Sequence, residues 1–159
     1  MMRFIPTWFA FLIAFSAGIV LYGSFTPGPL HRPLTDYIWI DRLPEEPTDP
    51  FKAYYFTSDG AIMVDAPSCY KVVLEIFEFK ADGKNIAFNF LHDGRRANSG
   101  YLIERMDRPT RDFDTRLTLA KDPNNKNKKT IYFTGPNMRS QATLPRLVRQ
   151  ALEREKIRF

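Results

Sequence analysis

A chain of 159 residues with 14 Phe and 14% aromatic content has room for one domain of ordinary size, and favours a strand-rich core over a helical bundle. Its single cysteine, Cys69, excludes an intrachain disulfide and zinc sites built on several thiolates. The net charge of +5 is unevenly spread: residues 1–94 carry 7 Lys+Arg against 11 Asp+Glu, and residues 95–159 carry 16 against 7, so the second half is a candidate surface for phosphates or anionic lipid.

Arg3 and the terminal amine precede an apolar run over residues 4–22, about the length a helix needs to cross a hydrocarbon core, with Trp8 and Tyr22 near its ends. Ala14-Phe15-Ser16 also offers small residues at the spacing of a signal-peptidase site. Because the run continues through Gly18-Ile19-Val20-Leu21, residues 1–23 read as a signal anchor, with a cleaved signal peptide as the alternative. The expectation is a membrane anchor through residues 4–22 with the domain on the extracytoplasmic side, or a secreted or periplasmic protein after cleavage. Residues 24–50 hold six prolines and read as an extended tether. Within it, residues 37–41 suit a first strand at a sheet edge.

Residues 51–142 are expected to form an antiparallel β domain. Residues 53–57 and 62–64 flank Asp59-Gly60, and two Phe-rich runs over 76–80 and 85–90 flank Asp82-Gly83. With Asp82 and Gly83 at the centre of a type I′ turn, Phe79 faces Ile86, Phe77 faces Phe88 and Glu75 faces Phe90. That alternation puts Phe77, Phe79, Ile86, Phe88 and Phe90 on one face, and Glu78, Lys80, Asn85, Ala87 and Asn89 on the other. A turn centred on Asp93-Gly94 pairs Phe88 with Ser99 and Ile86 with Tyr101, although a longer or bulged loop fits equally well; Tyr101 and Ile103 join the aromatic face. Residues 68–78 can be helix or strand, and the β-branched Val72-Val73 assign residue 71 onward to strand. Phe113, Thr115, Leu117 and Leu119 alternate with polar neighbours, and residues 130–134 close the set after a Pro/Asn/Lys loop over 121–129.

Residues 143–159 read as a helix, with Thr143 as its cap, Pro145 in its first turn, and Leu144, Leu147, Val148, Ala151 and Leu152 as one apolar stripe against the outside of the sheet. The fold class is therefore mainly β: an antiparallel meander of about eight strands closing into a small barrel or sandwich, with an N-terminal transmembrane or signal helix and a C-terminal amphipathic helix. Eight strands, an aromatic interior and a following helix over residues 36–156 resemble the lipocalin-like barrels. Those barrels carry a Gly-x-Trp pattern at the first strand; here Asp36-Tyr37-Ile38-Trp39 has the tryptophan without the glycine. The resemblance implies that Trp39 closes one end of a barrel.

The inventory argues against catalysis. Only His31 and His92 are present, His31 in the tether and His92 in a turn, which leaves no multi-histidine metal site and no framed nucleophile, His and acid triad. Cys69 reads as a buried small residue, Glu75 and Glu78 fall on opposite strand faces, and the glycines serve turns rather than a phosphate loop. No cofactor or metal is expected. Two binding readings remain. In one, the barrel encloses a small apolar or lipid ligand lined by Phe77, Phe79, Phe88, Phe90 and Tyr101. In the other, the core is filled and a basic surface at Arg95, Arg96, Lys126, Lys128 and Lys129 meets an acidic protein or anionic lipid. Nucleic acid is not expected, since these cations are not interleaved with exposed aromatics.

Overall fold

A computed structural model describes residues 33–155, and the anchor or signal expected over residues 1–23 lies outside them. Among the described residues no helix is long and apolar enough to cross a membrane. Alternating apolar residues build eight strands: β1 (Ile38–Ile40), β2 (Phe51–Phe56), β3 (Ala61–Ser68), β4 (Lys71–Ala81), β5 (Asn85–Phe90), β6 (Arg96–Arg105), β7 (Thr115–Asp122) and β8 (Lys128–Thr134). Each pairs antiparallel with the next, and β8 returns to β1, so the sheet closes into a barrel. Residue 71 onward is strand, as the β-branched pair implies. The upper end is taken as the one where odd-numbered strands begin, the lower as the one where even-numbered strands begin.

Strand β1 is not an edge. It pairs with β2 along its length and with β8 at Ile40–Phe133, which removes the exposed ladder that an open meander would leave.

The hairpins keep the expected faces but not the expected partners. Phe77 pairs with Phe90 and Phe79 with Phe88, two residues away from the register of an Asp82-Gly83-centred turn. Gly83 (φ +87°) is the first central residue instead, where a type II′ turn places glycine. Asp82 stands before it, with Oδ1 accepting from the backbone N–H of Lys84 and Asn85 at 2.9 and 2.6 Å. At the β2–β3 turn the central pair is Ser58-Asp59, because the Thr57 hydroxyl accepts from the N–H groups of Asp59 and Gly60. The β5–β6 connection is the longer loop: Phe90 N–H donates to Arg95 O across it, Gly94 sits at φ +68°, and Phe88 pairs with Ala97 and Ile86 with Ser99. A slip of two residues leaves every side chain on its original face, so the aromatic face survives all three corrections.

Two apolar clusters follow from the alternation. Inside the barrel, Trp39, Tyr54, Phe56, Phe77, Phe88 and Phe90 pack with Ile86, Leu117, Leu119 and Tyr132. Ring centroids lie 5.3 Å apart for Phe77–Phe88, 5.4 Å for Phe77–Phe90 and 5.9 Å for Tyr54–Phe77. Burying each Phe fully stabilises the fold by about 1.5–3 kcal/mol. Trp39 is fully buried and its indole N–H donates to Leu34 O at 2.8 Å, tying the chain before β1 to the barrel core.

Outside, helix α1 (Arg146–Arg154) lays Leu147, Val148, Ala151 and Leu152 over Ile38, Ile40, Phe51, Ala53, Val64 and Ala66. Cys69 belongs to this outer cluster and is buried. The helix starts later than Thr143 would set it. Thr143 ends a short 3₁₀ turn and donates to Ser140 O, while Pro145 takes an extended conformation at the N-cap without any side-chain cap. The pyrrolidine ring disfavours helical geometry at Leu144, so the helix cannot run back to Thr143.

Candidate functional site

The five residues expected to line a ligand share the inward face, but with different freedom. Phe77, Phe88 and Phe90 are 0–2% exposed and touch one another, whereas Phe79 and Tyr101 are half-buried and pack on that cluster together with Ala97 and Ile103. Phe79 also meets Phe56 edge-on, with centroids 5.0 Å apart. The space at mid-barrel is thus taken by the protein's own rings. Partly accessible apolar side chains of this cluster are Phe79, Tyr101 and Ile103 toward the upper end and the small Ala97 near the start of β6.

Polar groups inside the barrel are satisfied locally around Asp122, whereas Thr134 Oγ1 is buried without a hydrogen-bond partner among the described residues. Asp122 is fully buried; Tyr54 donates to its Oδ1 at 2.7 Å, Tyr132 to its Oδ2 at 2.6 Å, and Asn124 N–H adds a third bond at 2.9 Å. Burial first, and then the Asp122 charge, push the Tyr54 hydroxyl well above its ordinary value; burial, Tyr54 and Asp122 do the same for Tyr132. Just outside this group, Lys52 Nζ donates to Asn124 O at 2.6 Å and approaches Asp65 Oδ2 at 3.4 Å. Such an arrangement locks strands together; a tyrosine held this firmly protonated is no general base. Burial likewise raises the Cys69 thiol, aided by Asp49, which makes it a poor nucleophile. Among the described residues no group of His, Cys, Asp and Glu could hold a metal ion.

The basic residues do converge. Arg96 opens β6, Lys121 lies near the end of β7, Lys126 is in the turn, and Lys128 and Lys129 open β8, so all five stand at the lower end of three adjacent strands. Register explains the convergence: Asp122 pairs with Lys128, and Lys121 donates its backbone N–H to Ser99 Oγ at 2.9 Å, which brings the β6 start against the β7 end. None of the five has an ion-pair partner among the described residues. Arg95 is different. Its guanidinium binds Glu75 Oε1 at 2.6 Å, approaches Asp93 at 3.5 Å and lies 4.1 Å from the Phe90 ring centroid, so most of its charge is spent closing the lower end.

Between these strands lies an open hollow of ≈ 480 Å³ lined by Arg95, Arg96, Asn98, Lys121, Pro123 and Asn127. No carboxylate lines it. Asn127 lines it from a turn in which Lys126 and Asn127 take consecutive left-handed conformations, φ +52° and +59°. Lys121, Asn98 and Asn127 were not among the expected surface residues. The Asn/Lys composition of residues 121–129 was the available signal, but the approach of Asn98 needs the β6–β7 register. A larger open groove of ≈ 690 Å³ runs from Asp59 and Gly60 past Phe79 and Phe88 to Arg96 and Asn98, and Glu78 and Asp59 give it mixed charge.

Neither known family models, nor curated proteins, nor solved structures give a match to this chain, so function is argued from the geometry.

Proposed function

We propose that the protein is a non-catalytic binding module in which a filled β-barrel serves as scaffold and the cationic lower corner of β6, β7 and β8 contacts an anionic partner, an acidic protein or anionic lipid. One observation carries the reading: five cations gather where the fold makes no use of their charge. Like charges held together cost stability through mutual repulsion, and their common field attracts anions and speeds encounter. The reading includes membrane attachment through residues 4–22 with the domain on the extracytoplasmic side, supported by the charge that precedes the apolar run. N-terminal sequencing of the mature chain tests that part. For the corner itself, binding to poly-glutamate and to phosphatidylglycerol surfaces is measured against ionic strength. Binding is expected to weaken steeply with salt and to be lost when Lys126, Lys128 and Lys129 are each changed to Glu. Unchanged binding in that variant refutes the proposal.

A second reading, a lipocalin-like module holding a small apolar ligand, has its support in the half-buried Phe79, Tyr101 and Ile103 above the packed rings. It confines any such ligand to the upper end, since Phe77, Phe88 and Phe90 already occupy the centre.

A further inference from the structure

Resting on the reading of the lower corner as an anion-binding face, we infer that the hollow between the start of β6 and the β7–β8 turn is a seat for a phosphate group, held by Arg96 and Lys121 with Asn98 and Asn127 as neutral donors. The lining supplies the chemistry a phosphate requires. A guanidinium presents a planar fork that grips two oxygens at once, a lysine adds a compact charge from another direction, and carboxamide N–H groups can meet the remaining oxygens. Pro123 and Ala97 complete the wall with no side-chain acceptor. Of the carboxylates around it, Asp122 is buried and taken by Tyr54, Tyr132 and Asn124, and Glu75 and Asp93 are engaged by Arg95, while Arg96 and Lys121 have no ion-pair partner among the described residues.

Shape separates a phosphate from the side chain of an acidic protein. The ≈ 480 Å³ hollow opens between two strands and a turn, and its donors come from three separate segments: Arg96 and Asn98 from β6, Lys121 from β7 and Asn127 from the β7–β8 turn. A compact group with three or four acceptor oxygens uses all of them, whereas a carboxylate offers two oxygens in one plane. Lys126, Lys128 and Lys129 are outside the lining and act as a collar that draws the anion in. The volume exceeds one phosphate, so the seat accommodates a diphosphate or a phosphate carrying part of a headgroup.

The test is a site-resolved ¹⁵N–¹H NMR titration of the full-length chain with inorganic pyrophosphate. Saturable shifts are expected at Ala97, Asn98, Lys121 and Asn127, and R96Q/K121Q is expected to raise Kd about tenfold or more. Both side chains are exposed, and unchanged resonances elsewhere verify that the variant is folded. Shifts that never saturate and spread over all basic segments, or wild-type affinity in R96Q/K121Q, overturn the seat. The K126E/K128E/K129E variant separates the two levels of argument: it tests the wider face while leaving the seat's own donors intact. Dihexanoyl phosphatidylglycerol, below its micelle concentration, distinguishes the phosphate's source. Displacement of pyrophosphate at the same amides assigns the seat to a lipid headgroup, and pyrophosphate binding without displacement assigns it to a soluble phosphate compound.

Discussion

Replacing Asp122 by Ala would strand two tyrosine hydroxyls inside the barrel. Tyr54 and Tyr132 each give their proton to this carboxylate, at 2.7 and 2.6 Å, and both residues are fully buried. An unsatisfied buried donor costs about 1–3 kcal/mol, so two of them cost about 2–6 kcal/mol. Loss of the Asn124 N–H bond loosens the β7–β8 turn as well. Against a typical total stability of about 5–15 kcal/mol, the variant should unfold at visibly lower urea concentration. The assay is urea denaturation followed by far-ultraviolet circular dichroism. The decisive comparison is the triple variant D122A/Y54F/Y132F, which removes the stranded hydroxyls along with their acceptor. It should recover a substantial part of the loss, because the penalty belongs to unpaired groups and not to the missing carboxylate itself. A D122A cost below about 1 kcal/mol, or a triple variant less stable than the single one, would refute the reasoning.

The same two tyrosines predict alkaline sensitivity. Their hydroxyls stay protonated in the folded barrel but ionise near pH 10 in the unfolded chain, so the folded state binds more protons above that pH and stability falls as pH rises. The slope is about 1.4 kcal/mol per pH unit for each tyrosine, and Y54F/Y132F should flatten it in denaturation series from pH 9 to 11. Gly135 follows β8 where a Cβ would fall on the carbonyl oxygen of Asp112, so Gly135→Ala is expected to cost about 1–3 kcal/mol in thermal unfolding; an unchanged Tm would show that the segment yields freely. Leu152→Ala, on the buried stripe of α1, should cost about 2–5 kcal/mol, and a cost near zero would mean that the helix is not docked on the barrel.

How much of this was legible from the residues depends on which contacts are local. Alternation placed Phe77, Phe79, Ile86 and Phe88 on one face without knowledge of their partners, because a two-residue slip leaves faces unchanged. The slip itself was hidden: Asp-Gly can occupy different slots of a turn, and the Asp82 carboxylate, by capping two N–H groups, selects one of them. Closure was hidden for another reason. The three residues of β1 sit among prolines and look like an edge, and their β8 partner lies far along the chain. The Asp122 site escaped period-two reading because the register shifts between Leu119 and Asp122, which turns a residue of the wrong parity inward. The expected cations were placed together, yet Arg95 is largely neutralised and Lys121, read only as part of a loop, lines the hollow.

A titration of the full-length chain with the neutral apolar probe N-phenylnaphthylamine, followed amide by amide, tests most directly whether the barrel is filled and acts from its outside. The account predicts no saturable shift at Phe77, Phe88 or Phe90, whose rings already occupy the interior. Saturable binding that moves those three, and that weakens in Phe79→Ala, would contradict it.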